Sequence, residues 1–114
     1  MKDCVFCKIV KGEIPCDKVY EDDQIIVFND IHPQAPVHLL IIPKKHIKSI
    51  AVMNEKDVAL VGQMVNIATR IAAAAGISAK GFRLVTNSGE EGGQVVPHLH
   101  WHILGGRQLS GELG

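Results

Sequence analysis

Residues 98–104 read His98-Leu99-His100-Trp101-His102-Ile103-Leu104, an unbroken alternation of imidazole and apolar side chains. In a β-strand, side chains two positions apart lie on the same face of the sheet. The run therefore predicts a strand, Leu99 to Leu104, with the histidines on one face and the apolar side chains in the core. The alternative is an ordinary half-exposed strand whose outward polar residues are histidines.

Three imidazoles on one face offer two chemistries. They can bind a metal ion, or one of them can attack an electrophile while its neighbours donate hydrogen bonds. Imidazole is available in its neutral, nucleophilic form near neutral pH. The approach to the strand contains Gly92-Gly93-Gln94, where backbone amides can come close to an anion, and this favours attack at phosphorus.

Composition limits the class of protein. The chain has 114 residues, 46% hydrophobic and 21% charged, which is enough apolar material for one core and excludes global disorder. The net charge is zero, so no bulk attraction for nucleic acid or an anionic membrane is expected. No apolar run approaches the ~20 residues of a membrane-spanning helix, and no signal-like segment is recognised. We expect one domain over residues 1–114, with a mobile tail after about Arg107, in the cytoplasm.

The rest of the pattern predicts an α+β domain with an antiparallel five-stranded sheet and one long helix. A short N-terminal helix is expected from Cys4 to Ile9. The long helix begins after the N-cap residue Asn54 and ends at Gly76. The predicted strands are Lys18 to Glu21, Ile25 to Asn29, Val37 to Ile42, Phe82 to Thr86 and Leu99 to Leu104.

The long helix, Glu55 to Ala75, carries two apolar stripes side by side. One consists of Val58, Val61, Val65, Ala68, Ala72 and Ala75, and the other of Leu60, Met64, Ile67 and Ile71. An apolar arc this wide exceeds what one small sheet covers, so part of it is expected to contact another chain. The alternative is an alanine-rich helix that tolerates exposure.

The run from His98 to Leu104 resembles the His-φ-His-φ-His-φ-φ signature of the histidine triad superfamily, where φ is an apolar residue. Other segments are similar, in the same order, to the Hint branch of nucleotide-binding phosphoramidases. These segments are Pro33-Gln34-Ala35-Pro36-Val37-His38, Ile42-Pro43-Lys44-Lys45-His46-Ile47, Asn87, Gly92-Gly93-Gln94 and Gly105-Gly106-Arg107. The resemblance covers about residues 4 to 109. It implies the HIT-like fold and a homodimer in which the two sheets join.

The resemblance also implies roles for single residues around a purine nucleoside monophosphate. His100 would be the nucleophile that takes the nucleotidyl group, and His102 and His38 would orient it and contact phosphate. Asp30 would bind the ribose hydroxyls, and Asn87 and Gln94 would bind phosphate and leaving group. The base pocket would consist of Phe28, Ile31, Ile9 and Leu40, with Gly93 and Val95 also in the nucleotide site and His98 completing the triad.

Several of these residues have plainer interpretations. Asp30 and Asn87 stand where ordinary turn residues are common, and an isolated His38 is typical of a hydrogen-bonded polar side chain. Val95 occupies a position where many Hint proteins carry serine, and the tail after Arg107 lacks the tryptophan-containing end of animal Hint proteins. Both departures concern the leaving group and leave nucleotide binding unchanged.

Cys4-Val5-Phe6-Cys7 has the spacing of half a tetrahedral zinc site and needs two more ligands. The resemblance extends to bacterial members of the superfamily and to galactose-1-phosphate uridylyltransferase, where two histidines complete a similar pair. It implies one structural zinc held by Cys4, Cys7, His46 and His98. The alternative is a pair of buried thiols, and Cys16 is expected to take no part.

Together these features predict a hydrolase of nucleoside phosphoramidates and related nucleotidyl bonds that works through a covalent intermediate on His100, without an organic cofactor. Two alternatives stay open. One is a metal-dependent hydrolase with His98, His100 and His102 as ligands, and the other is a nucleotide-binding module without turnover.

Overall fold

Five strands form one antiparallel sheet within residues 3–114, the part of the chain that the computed structural model describes. The strands are β1 (Lys18–Glu21), β2 (Ile25–Asn29), β3 (Val37–Pro43), β4 (Phe82–Thr86) and β5 (Trp101–Gly105). Their order across the sheet is β1-β2-β3-β5-β4. Met1 and Lys2, with which the predicted domain begins, lie outside the described residues. The predicted α+β class is confirmed.

The β1–β2 hairpin joins two strands whose bounds agree with those predicted from the sequence. In the connecting turn, the Asp22 carboxylate accepts the backbone N–H groups of Gln24 and Ile25, each at 2.8 Å. An aspartate that accepts backbone N–H groups two and three residues ahead stabilises a tight reversal. The turn therefore brings Glu21 opposite Ile26 in the strand ladder.

The sheet is covered on both faces, which explains why Ile25–Phe28 is buried throughout. On one face, Leu39 and Ile41 of β3 belong to a core with Met64 and Ile67 of the long helix α2 (Val58–Ala74). On the other face, Leu40 belongs to a second core with the short helix α1 (Val5–Val10). Alternate residues of one strand thus enter different cores, as the pleat requires.

Strand β5 is shorter at its start than predicted, Trp101–Gly105 instead of Leu99 to Leu104. The backbone N–H of Leu99 donates to the Ile47 carbonyl at 2.6 Å, and that of His98 donates to Val96 at 2.8 Å. Because these amides bond outside the ladder, His98 and His100 precede the strand. The predicted division of faces still holds, since Leu99 and Ile103 are buried in the α2 core and Phe6 of α1 contacts the rings of both His98 and His100.

The long helix begins with a short 3-10 segment, Glu55–Asp57, and continues as α2 to Ala74. Gly76 follows the C-cap residue Ala75, and its φ of 77° is the left-handed conformation expected of a helix-terminating glycine. Five residues of α2 are buried: Val61, Met64, Ile67, Ala68 and Ala72. Val58 is 54% exposed, so part of the predicted apolar arc does not contact this chain's own core. Within residues 3–114, no helix is both long and apolar enough to cross a membrane.

Candidate active site

A cavity of about 520 Å³ opens on the α1 face of the sheet. Its lining is mostly apolar, with Phe6 and Ile9 of α1 on one side and Phe28 of β2 on another. Two cavity residues, Phe28 and Leu40, are register partners in neighbouring strands, and Leu40 is in turn the partner of His102. The sheet therefore places an apolar wall next to the histidines.

Eight of the nine residues predicted to bind nucleotide line this cavity: Ile9, Phe28, Asp30, Ile31, Leu40, Asn87, Gly93 and Val95. Of the four predicted catalytic residues, His38, His100 and His102 also line it, and His98 does not. The structure thus brings together segments separated by most of the chain. The roles of these residues remain predictions.

Gln94 is the predicted nucleotide-binding residue that does not line the cavity. Its amide oxygen accepts the Gly89 N–H at 2.8 Å, and its nitrogen donates to the carbonyls of Lys48 and Val96 at 2.7 and 3.0 Å. The Gly89 contact closes the glycine-rich loop, and the Lys48 contact fastens the loop to the segment after β3. Asn87 does line the cavity, and its side-chain nitrogen donates to Gly92 at 2.7 Å, which is also a loop-closing contact.

The hydrogen bonds around His100 determine its tautomer. Its Nδ1 lies 2.7 Å from the His98 carbonyl, which can only accept, so Nδ1 carries the proton. Nε2 therefore retains its lone pair. The Thr86 hydroxyl donates to the His100 carbonyl at 2.7 Å and holds the backbone at this point. Burial lowers the pKa of His100, opposed by its hydrogen bond to His98 and by the charge of Asp30, so the ring is neutral near pH 7.

His38 and His102 form a second chain of hydrogen bonds. The backbone N–H of Gln34 donates to His38 Nδ1 at 3.0 Å, so the proton of the neutral ring is on Nε2. His38 Nε2 in turn lies 2.8 Å from His102 Nδ1 and 3.4 Å from the Asp30 carboxylate. His102 Nδ1 accepts the hydrogen bond from His38 Nε2–H, so the Nε2 of the neutral His102 ring carries the N–H group.

Burial lowers the pKa of His102 to about 4, aided by the nearby rings of His100 and His38. Burial also lowers the pKa of His38 in spite of Asp30. Both rings are neutral near pH 7 and act as hydrogen-bond donors and acceptors. No lysine or arginine among residues 3–114 lines the cavity. An anion bound here would therefore depend on N–H donors such as His102 Nε2.

A separate cluster of two cysteines and two histidines lies at the N-terminal end of α1. Cys4 Sγ lies 3.3 Å and Cys7 Sγ 3.6 Å from His98 Nδ1, and His46 Nδ1 lies 3.2 Å from the same atom. His98 Nε2 is 2.8 Å from the Pro43 carbonyl, so its proton is on Nε2 and its Nδ1 lone pair points into the cluster.

These four side chains can hold a metal ion. Two thiols and two imidazoles are a donor set typical of tetrahedral zinc. The His98–Pro43 contact is the second-shell hydrogen bond that orients a ligating imidazole. Burial lowers the pKa of His98 to about 4 and that of His46 as well, which keeps both lone pairs available for a cation.

The alternative metal centre of His98, His100 and His102 is not assembled. His98 directs Nδ1 at the two cysteines, whereas His100 directs Nδ1 at a backbone carbonyl. Within the described residues, the groups of metal-binding side chains close enough to share one ion are Cys4, Cys7, His46 and His98, and separately Asp30, His38 and His102. The three histidines of the run thus face different partners.

The HIT domain profile matches residues 11–109 of the chain. The chain belongs to the HIT family. It is 50% identical over 109 residues to an uncharacterized HIT-like protein of Synechocystis, covering 96% of this chain and 95% of that protein.

Solved structures resemble this HIT domain closely. A HIT family hydrolase from Legionella pneumophila is 51% identical, with a TM-score of 0.95 over 98% of this chain and 100% of the other. A histidine triad protein from Clostridium difficile is 45% identical, with a TM-score of 0.95 over 99% and 98% of the two chains. The predicted HIT-like fold is therefore confirmed.

Some residues of this HIT-domain site were not predicted from the sequence. Phe6 lines the cavity and packs edge-on against His100 with ring centres 5.1 Å apart, and Thr86 and Gln34 position the histidines. The sequence feature that could have indicated Phe6 is its place as an apolar residue between the candidate metal ligands Cys4 and Cys7. Gln34 acts through its backbone N–H and Thr86 bonds a carbonyl fourteen residues away, and neither contact leaves a pattern in the sequence.

Proposed function

We propose that this HIT-domain protein hydrolyses nucleoside phosphoramidates and related nucleotidyl bonds through a covalent nucleotidyl group on His100. The observation that carries the proposal is the state of His100: a neutral ring at the cavity, with Nδ1 bound to a carbonyl and the lone pair on Nε2. Similarity to proteins named HIT family hydrolases from Legionella pneumophila and Clostridium thermocellum supports a hydrolase. The motif resemblance supports the Hint branch.

The cavity suits a nucleoside monophosphate. Its apolar side, with Ile9, Phe28 and Leu40, fits a purine base. The Asp30 carboxylate, at the end of β2, can accept hydrogen bonds from ribose hydroxyls. The N–H group of His102 would donate to a phosphoryl oxygen, which is how the site would hold an anion when none of residues 3–114 brings a lysine or arginine to the cavity.

The reaction would proceed in two steps. His100 Nε2 attacks the α-phosphorus, a new phosphorus–nitrogen bond forms, and the bond to the substrate's amine breaks while the amine takes a proton from solvent. Water then attacks the phosphorus of the nucleotidyl-histidine. This step breaks the bond to His100, restores the neutral ring, and releases the nucleoside monophosphate with a proton. The His98 carbonyl stabilises the positive charge that His100 carries between the steps.

The metal at the cysteine cluster is proposed to be a structural zinc. Cys4 and Cys7 of α1 and His46 and His98 would supply four protein ligands, which leaves no open position for substrate. Such a site would fasten α1, and with it Phe6, to the segment that leads into the triad.

A homodimer is proposed because part of the α2 surface is apolar and exposed. Val58 is 54% exposed, and Leu60, Val65 and Ile71 are half-buried. Edge strand β4 is free on its outer side within the described sheet, so a second copy could extend it. The resemblance to Hint proteins implies the same arrangement, in which the two sheets join.

The cytoplasm is the proposed location. Cys4, Cys7 and Cys16 are free thiols in this structure, and zinc binding requires the first two to stay reduced. A reducing compartment satisfies that requirement.

A covalent label would test the mechanism. The protein is mixed with an adenosine phosphoramidate, quenched at alkaline pH because nucleotidyl-histidine is acid-labile, digested, and analysed by fragmentation mass spectrometry. We expect adenylate on His100, no label in His100→Ala, and normal labelling in Gln63→Ala, a change at an exposed position of α2. Nucleotide binding without any label or turnover would instead support the non-catalytic binding module.

A further inference from the structure

The segment after β5 is hydrogen-bonded to the loop between β2 and β3. Arg107 Nη2 donates to the Gln34 carbonyl at 2.9 Å, and its Nη1 donates to the Gln108 carbonyl at 2.9 Å. Next to it, a Cβ added to Gly106 would lie 2.9 Å from the Pro36 side chain, so the two backbones approach closely here. Arg107 itself does not line the cavity. It can affect the site only through the loop.

Gln34, the loop residue that Arg107 contacts, is also hydrogen-bonded to His38. The Gln34 N–H donates to His38 Nδ1 at 3.0 Å, and this bond places the His38 proton on Nε2. That proton is directed at His102 Nδ1, 2.8 Å away. If the Gln34 amide moved away, the His38 proton could shift to Nδ1, and His102 would then become the donor to His38. The Nε2 of His102 would lose its hydrogen and could no longer donate to an anion in the cavity.

We propose that Arg107 is a positioning residue for the histidine pair, because it holds Gln34 where the Gln34 amide sets the tautomers of His38 and His102. The inference rests on the proposed function for its effect on activity. Its effect on the two tautomers is independent of any substrate.

Arg83 provides a matched control for Arg107. It is also an arginine whose guanidinium donates to a backbone carbonyl, that of Ser110, so it contacts the same C-terminal segment. Among the described residues it has no hydrogen bond to the loop that carries Gln34. If the tautomers depended only on how firmly the C-terminal segment is held, both arginine variants would change them. The proposal expects the change in the Arg107 variant alone.

The test compares the wild type with Arg107→Ala, Arg107→Lys and Arg83→Ala. Imidazole tautomers are measured from the ¹⁵N shifts of the two ring nitrogens, and kcat/KM is measured with an adenosine phosphoramidate. In the wild type and Arg83→Ala, we expect Nδ1 of both His38 and His102 to be the unprotonated nitrogen. In Arg107→Ala we expect mixed tautomers on both rings and a loss of about tenfold in kcat/KM, chiefly in kcat, as for the loss of a charge-assisted hydrogen bond. Arg107→Lys should lie between Arg107→Ala and the wild type, both in the imidazole tautomers and in kcat/KM.

Unchanged tautomers in Arg107→Ala would overturn the proposal, whether or not activity falls, and so would an equal change in Arg83→Ala. A wild type without phosphoramidase activity would refute the proposed function alone. The ¹⁵N spectra would still decide the role of Arg107.

Discussion

At the residue scale, the histidines of one alternating run differ in which ring nitrogen is occupied. His98 bonds a carbonyl with Nε2 and has Nδ1 for the cysteine cluster, whereas His100 bonds a carbonyl with Nδ1 and has Nε2 for the cavity. His102 accepts a hydrogen bond from His38 on Nδ1 and carries its own N–H on Nε2. One side-chain type thus suits the three proposed roles of ligand, nucleophile and donor, because the partner of the second nitrogen differs each time.

His100→Ala should lower turnover by at least about 10²-fold and change nucleotide affinity little, because the variant loses the attacking atom and keeps the apolar cavity. Turnover is measured with the phosphoramidate, and affinity by titration with adenosine monophosphate. If the variant kept most of its turnover, His100 would not be the nucleophile.

At the element scale, two short pieces of backbone each have one side chain that accepts a backbone N–H group near the start of a helix. The 3-10 segment before α2 is closed by Asp57, which accepts the Asn54 N–H at 3.0 Å and the Lys45 ammonium at 2.6 Å. Helix α1 has no acidic residue in its first turn, and its N-cap Cys4 accepts the Cys7 N–H at 3.3 Å. A helix of six residues is not stable alone in water, so α1 depends on its contacts with the sheet.

Asp57 should make stability sensitive to acid. The hydrogen bond from Lys45, followed by that from the Asn54 backbone, lowers the pKa of Asp57. A carboxyl whose pKa is lower in the folded state stabilises the fold above its unfolded pKa of about 4, and this contribution is lost as the pH falls below that value and through the lower folded pKa. Asp57→Asn should therefore be less stable at pH 7 and lose less stability on acidification.

The measurement is the free energy of unfolding in urea at pH 7 and at a series of lower pH values down to about pH 2, well below the unfolded pKa of a carboxyl. Asp23→Asn, at an exposed position of the β1–β2 turn, serves as the control and should follow the wild type. Parallel pH curves for Asp57→Asn and the wild type would contradict the assignment.

Zinc removal should lower stability more than it lowers the rate of chemistry, because the cluster has four protein ligands and lies apart from His100 Nε2. Protein purified without an affinity tag should contain about one zinc per chain, and a chelator should lower Tm. The double variant Cys4→Ser, Cys7→Ser should lose the metal, whereas Cys16→Ser should keep it. Less than about a tenth of an equivalent of zinc per chain in the wild type would refute the zinc site. Cys4 and Cys7 would then be a pair of buried thiols.

At the scale of the whole molecule, the two faces of the sheet have different tasks. The α1 face holds the cavity and the cysteine cluster, and the α2 face holds the larger apolar core. Helix α2 also keeps apolar side chains at its surface, with Val58 54% exposed. That surface is the basis of the proposed dimer.

Ile71→Glu should break the dimer, since a carboxylate at this half-buried position would lose its hydration in an interface. Light scattering at micromolar concentration should give twice the chain mass for the wild type and less for the variant. Ala73→Glu, at an exposed position of the same helix, is the comparison. Met64→Glu does not discriminate, because Met64 is fully buried in this chain's own core. A monomeric wild type would refute the dimer.

Much of the fold is accessible from local sequence. The bounds of β1, β2 and β4 agree with their predictions, and Gly76 ends the helix as expected. The alternation of apolar and polar residues and the turn residues are short-range signals, so they can be recognised without knowing the partner strand. The alternating histidines likewise indicate their chemistry, because imidazole spacing and neighbouring glycines are local properties.

The tertiary structure decided which partner each polar group has. Leu99 bonds Ile47 and leaves β5 shorter than predicted, and the Gln94 side chain bonds Gly89 and Lys48 and does not line the cavity. His98 meets Cys4 across ninety-four positions of the chain. The physical reason is that a hydrogen bond or a metal ligand set depends on which distant groups the packed sheet brings within about 3 Å. Side-chain type and spacing predict the chemistry available to a residue, and packing selects the atom that performs it.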